Sequence, residues 1–186
     1  MGLTYFKRYR MELDLSRPLA KCPPLPDGYS FVPWDDTLLA AHAEVKFHSF
    51  RFELDANVFP SLGDLEGCQR LMTEISRRDN FVIPATWLLM YFPPDHRQPE
   101  FCGTVQGLVQ ENLTGAVQNL GITPAHRGFG LGSRLLMKSV EGFHSVGLSR
   151  VSLEVTVQNT GALRLYQRLG FRRVKTVYKA AEVAYA

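Results

Sequence analysis

The chain is poor in cysteine. Cys22, Cys68 and Cys102 are three in 186 residues, far apart and without a C-x-x-C pair. Such spacing argues against a disulfide framework and against a zinc site, and no metal is expected. The three read as small core residues in a reducing, cytoplasmic setting. No run of 18 apolar residues occurs, and Lys7, Arg8 and Arg10 are followed by no apolar stretch. Neither a membrane span nor a signal peptide is therefore expected. A block of like charge is missing as well. The formal net charge is only +3, with Lys and Arg scattered. That offers no arm for nucleic acid, although it suits an anionic cofactor. Repeats and low-complexity tracts are absent. So are the G-x-x-x-x-G-K-[ST] and G-x-G-x-x-G loops, which counts against a nucleotide-binding α/β domain.

What is present is enough apolar sequence, 45%, for one sizeable core. Tyr9, Met11, Leu13 and Leu15 alternate with Arg8, Arg10, Glu12 and Asp14, the pattern of a half-buried strand over 9–15. A proline-rich connector from Cys22 to Gly28 leads to a short strand, Tyr29 to Pro33. Asp35 or Asp36 caps a helix reaching about Phe47, with Leu38, Ala41 and Val45 on one face. The segment from His48 to Gly63 reads as irregular and aromatic. Asp64 opens a second helix, with Cys68, Leu71, Met72 and Ile75 on one face. Strands are expected over Ala85–Phe92, Phe101–Gln110 and Thr114–Thr123, the last two joined as a hairpin.

After that third strand the chain changes character. Leu120 and Ile122 end an apolar run, and Pro124, with no amide donor, stops the ladder. Arg127, Gly128, Phe129, Gly130, Leu131, Gly132 and Ser133 follow, then leucines at mostly helical spacing through Leu135, Leu136, Val140 and Phe143. A strand, a glycine-rich turn and a helix N-terminus together form an anion site. Free backbone N–H groups converge there, and the helix dipole adds partial positive charge. A pyrophosphate is the natural guest. A second segment repeats the theme: Val151 to Val157 is a strand, and Asn159 caps a helix bearing Ala162, Leu163 and Tyr166 on its own face. Gly170 sits where a helix C-terminus favours a left-handed residue, and a last strand runs from Phe171 to about Tyr178.

Arg127-x-x-Gly130-x-Gly132, preceded by Ile122-x-Pro124, resembles motif A of the GNAT superfamily of N-acetyltransferases. The string LEVTVQNTGALRLYQRLGF resembles motif B of the same superfamily and is similar to that of its ribosomal-protein alanine N-acetyltransferases. The two motifs cover roughly Gly115 to Val174 in the right order. The resemblance implies an α/β (α+β) GNAT fold: a mixed, strongly twisted sheet of about six or seven strands with about four helices on its two faces. It makes residues 1–186 a single N-acetyltransferase domain, with 1–28 an N-terminal strand plus connector and 29–180 the core. Only the short tail after Gly170 remains for the two strands that often end this fold, so the N-terminal strand is expected to fill part of that sheet edge.

The same resemblance implies acetyl-CoA as cosubstrate and an amine of a peptide, protein or small molecule as acceptor. No nucleic acid or membrane partner is implied, and a homodimer is left open. Its pyrophosphate would lie on the amides of Arg127 to Ser133 and on the Arg127 side chain. Backbone groups of Leu120 and Ile122 would hold the pantetheine and thioester, and Asn159 would either reach the pantetheine or cap its helix. Tyr166 matches the tyrosine beside the CoA sulfur and is the expected acid. The glutamate that some members carry six positions before Ile122 is Ala116 here, which leaves Glu154, in Leu-Glu-Val, as the expected base. A non-catalytic acyl-CoA-binding module is the competing reading, and the presence of both Tyr166 and Glu154 weighs against it.

Overall fold

The computed structural model describes residues 2–19, 21–95 and 98–183. The strands are β1 (Gly2–Asp14), β2 (Tyr29–Pro33), β3 (Trp87–Tyr91), β4 (Glu100–Gln110), β5 (Thr114–Ile122), β6 (Arg150–Thr156) and β7 (Arg172–Val183). The α-helices are α1 (Leu39–Phe50), α2 (Leu54–Val58), α3 (Leu65–Ser76), α4 (Leu131–Ser145) and α5 (Thr160–Arg168). All seven strands form one sheet in the order β2-β3-β4-β5-β6-β1-β7. Only β5 and β6 are parallel neighbours; every other pair is antiparallel.

Two differences from expectation concern the ends of the early elements. The N-terminal strand begins at Gly2 and does not fill an edge: it lies between β6 and β7 and pairs with both. The alternation over 9–15 stops at Lys7 and Arg8, two cations in a row, so the strand's first half is hidden from a hydropathy pattern. Residues 54–58, expected to be irregular, form the short helix α2. Asp64 caps α3 as expected, its side chain accepting from the Gly67 amide at 2.7 Å. Asp35 caps a 3-10 turn that runs into α1.

The two faces of β4 carry different chemistry. Gly107 and Gly115 leave a slot on one face for the Phe143 ring of α4, where any Cβ would lie within 3 Å of it. That face is the main core, with Val105, Leu135, Leu136, Val140 and Val151. Thr104 and Gln106 point the other way, beneath α1, into a polar network. The Lys46 ammonium donates to Gln106 Oε1 at 2.6 Å, Gln106 Nε2 donates to Thr104 Oγ1 at 2.6 Å, and His42 Nδ1 lies 2.8 Å from Thr104 Oγ1. Lys46 is wholly buried.

Burial pushes the Lys46 ammonium down to about 7, with nearby Cys68 opposing the shift. The unfolded chain binds that proton up to the ordinary lysine range, near 10.4. Between these values the unfolded state holds more protons, so stability from this residue rises with pH and levels off above the ordinary value. Below about 7 the penalty of a buried cation is fully present. We therefore expect Lys46→Met to raise the unfolding midpoint near neutral pH, by the equivalent of about 1–4 kcal/mol. The gap between variant and parent should shrink steadily as pH climbs towards 10. Thermal melts of both proteins across that range test this, and a pH-independent gap would contradict it.

Candidate active site

The cavity of interest opens where β5 and β6 separate. They pair only from Thr114 to Ala116 against Arg150 to Ser152. Beyond that point nothing links the two backbones, and a cavity of about 410 Å³ fills the fork. A β-bulge reinforces the split. Thr104 pairs with Gly121 and Gln106 with Gln118, so Asn119 and Leu120 together oppose Val105. Asn119 takes a left-handed φ of 49°, which asparagine tolerates better than most residues. A bulge leaves backbone groups outside the regular ladder, and it falls at Asn119 and Leu120, both in the cavity lining. Leu120 lines the cavity, whereas Ile122 lies beyond its wall with its carbonyl taken by Arg127 Nε at 2.9 Å.

The glycine-rich turn follows β5 through a 3-10 turn, Pro124–His126. His126 is pinned there by the Tyr29 hydroxyl at 2.8 Å and Glu100 Oε1 at 3.0 Å. Gly130 is the N-cap of α4, with φ 71°, a conformation that costs an L side chain roughly 1–2 kcal/mol. No side chain caps this helix, so its first amides are left for an anion. The Arg127 guanidinium is placed differently from expectation. It donates to Glu53 Oε1 at 2.6 Å and to the Ser49 carbonyl at 2.8 Å, tying the turn to the α1–α2 junction. The cation lying across the turn is Arg134, which donates to the Gly130 carbonyl at 3.0 Å and the Pro24 carbonyl at 2.7 Å. Sequence reading passed it over as one polar residue in the helix.

Tyr166 and Glu154 both line the cavity, with Asn159 between them along the chain; the residues of the glycine-rich turn are not in its lining. Burial raises the Tyr166 hydroxyl well above its ordinary value; Asp55 adds to the rise and Arg8 opposes it. A phenol so held stays protonated at neutral pH, as a proton donor must. Asn159 Oδ1 accepts from the Ala162 amide at 3.2 Å and so caps α5. Asn159 also lines the cavity, beside Asp55.

Arg8 and Asp55 complete the cluster. Arg8, from β1, is 8% exposed, donates to the Glu154 carboxylate at 3.3 Å and carbonyl at 3.1 Å, and lies 4.7 Å over the Phe59 ring. Burial pulls its guanidinium below the ordinary value, against the pull of Glu154 and Asp55. Asp55 belongs, with Glu53, to the aromatic and acidic stretch from about Phe47 to Asp64 that the family resemblance sets at the acceptor mouth. Arg8 could not be found that way, because its place depends on β1 entering the sheet interior. Among the described residues, no group of three metal-ligating side chains comes together.

The family model described as "Acetyltransferase (GNAT) family" matches residues 65–171, the span holding β3 to α5. The chain belongs to the GNAT acetyltransferase family. A mycothiol acetyltransferase from Parafrankia sp. (strain EAN1pec) is 30% identical over 97% of this chain and 59% of its own length. An N-alpha-acetyltransferase, MAK3 of Arabidopsis thaliana, is 36% identical over 37% of this chain and 36% of its own. Among solved structures, a GCN5-related N-acetyltransferase from Sphaerobacter thermophilus superposes with a TM-score of 0.69 at 19% identity, covering 96% of this chain and 52% of that one. The chain thus spans little more than half the length of the relatives it matches from end to end. The seven-stranded mixed sheet with helices on both faces is the GNAT fold. Among the described residues, no helix is long and apolar enough to cross a membrane.

Proposed function

We propose that the protein is an acetyl-CoA-dependent N-acetyltransferase, passing the acetyl group directly to a primary amine of a peptide, protein or small molecule. The observation that carries this is the cavity in the β5–β6 fork, lined by Leu120 from β5, Glu154 from β6 and Tyr166 from α5, while β5 leads on through the glycine-rich turn to the uncapped N-terminus of α4. The pyrophosphate would rest on the amides of Arg127, Gly128, Phe129, Gly130, Leu131, Gly132 and Ser133. The bulge at Leu120 would receive the thioester oxygen or pantetheine amide. Tyr166 would protonate the departing thiolate, and Glu154 is the sequence's candidate for the base. The three cysteines are free thiols, which suits a reducing cytoplasm. β7 is the sheet's edge strand, where a second copy could add.

The test is incubation with acetyl-CoA and a panel of primary amines: an amino sugar, a polyamine, an amino acid and a peptide with a free N-terminus. Amine-dependent release of CoA thiol is expected with at least one of them. Tight CoA binding with no thiol release from any amine would favour the acyl-CoA-binding module instead.

A further inference from the structure

Two carboxylates, not one, belong to residues that line the cavity: Glu154 from β6 and Asp55 from α2. Resting on the acetyl-transfer reading above, and amending its choice of base, we propose that Asp55 is the carboxylate that receives the acceptor's amine.

Four observations lead there. Glu154 is already paired: the Arg8 guanidinium spans its carboxylate and its own backbone carbonyl, at 3.3 and 3.1 Å. A carboxylate so paired already has a cation before any ammonium arrives. Glu154 is also 44% exposed, towards solvent. Asp55 is more deeply placed, and its surroundings favour the protonated form: burial raises it first, Glu53 adds to this, and Arg8 and the Asn159 hydrogen bond pull back. A carboxyl raised in this way is a better base towards an ammonium group. Finally, Asn159, the cap of the helix that carries Tyr166, lies beside Asp55. Arg8 also keeps a buried Nε–H with no partner. That donor is free for an oxygen on the acceptor beside its amine, as an amino sugar or an amino-acyl group would present.

The proton account balances. The acceptor's ammonium gives one proton to Asp55 and the neutral nitrogen attacks the thioester carbonyl carbon. The C–S bond breaks as the tetrahedral adduct collapses, and the thiolate takes the Tyr166 proton. The second proton of the nitrogen restores the Tyr166 phenol, and Asp55 releases its proton to water. The products are an amide, CoA thiol and one proton.

The experiment has a binding arm and a kinetic arm. In the first, carboxyl ¹³C resonances of the folded protein, with and without CoA, are followed while n-butylammonium chloride is added. A saturable movement of the Asp55 resonance is expected, lost in Asp55→Asn. Movement of Glu154 alone, or none at Asp55, overturns the proposal. In the second, with whichever panel amine turns over, Asp55→Asn should lower kcat/KM by about 10²-fold or more, with partial recovery in Asp55→Glu and unchanged CoA affinity. A larger loss for Glu154→Gln than for Asp55→Asn overturns it as well. Failure of the parent protein to bind CoA would sink the acetyl-transfer reading, and the ammonium titration would still report on Asp55.

Discussion

Replacing Gly130 by valine should abolish useful CoA binding while leaving a folded protein. The position combines two demands. Its φ of 71° lies in the left-handed region, and a Cβ there would approach the Arg134 guanidinium to 2.5 Å. The guanidinium is the end of a flexible side chain and can move. A branched side chain would then stand over the first amides of α4, where a phosphate needs backbone contact. Charge-assisted hydrogen bonds contribute about 1.5–3 kcal/mol each, so losing two of them weakens CoA by roughly 10²-fold or more. The strain of a left-handed valine costs roughly 1–2 kcal/mol, visible as a modest drop in melting temperature. Calorimetry on a variant that still melts cooperatively is the check. Unchanged affinity would remove the turn from the cofactor site.

Tyr166→Phe carries the other large expectation. The ring occupies the same space, so α5 and its contact with Phe171, 6.1 Å between ring centres, should survive. Only the proton donor is lost. Acid–base groups typically contribute about 10²–10⁴-fold, and kcat should fall within that range with CoA affinity unchanged. The pH dependence follows from the sign of the shift. Burial raises the Tyr166 hydroxyl, which favours its neutral, donating form. The parent enzyme should therefore show no alkaline loss of rate from this group below pH ~10, the ordinary tyrosine value. Stopped-flow assay of thiol release in both proteins measures the effect. Equal kcat values would leave the leaving group to be protonated by solvent.

Most of the strands were legible because they are strongly patterned. Tyr29–Pro33 was read residue for residue, and β5 ended where Pro124 forbids a donor. The second motif carries both Glu154 and Tyr166, and both line the cavity, since a strand followed by a capped helix leaves little freedom. What escaped was non-local. Residues 54–58 make only one turn and a half of helix, too short for periodicity to register, so the resemblance sets Asp55 at the acceptor mouth without the helix that carries it. The bulge at Asn119 and Leu120 depends on the register of β4, which no single strand encodes. Arg127 carries the motif's cation, yet Glu53 and the Ser49 and Ile122 carbonyls claim it; those partners are close only after α1 has docked. Arg8 reads as one member of an alternating charged set, and becomes a buried partner of Glu154 only through the strand order.

That strand order also sets a schedule. The ladder of β1 needs Thr156 opposite Arg8 and Val183 opposite Gly2. On a ribosome moving at about 5–20 residues per second, the first strand waits roughly 7–30 s for its first neighbour and longer for its second. Until then an amphipathic ribbon with Phe6, Arg8 and Met11 has no sheet to join, and loop-closure entropy must be met before pairing rewards it. The cation beside Glu154 thus finds its place only once β6 has been made. A nascent chain can complete the glycine-rich turn and α4 before β6, and with it Glu154, exists. The Arg8–Glu154 contact therefore joins segments far apart in that schedule, and β1 gains its second neighbour only when β7 has followed.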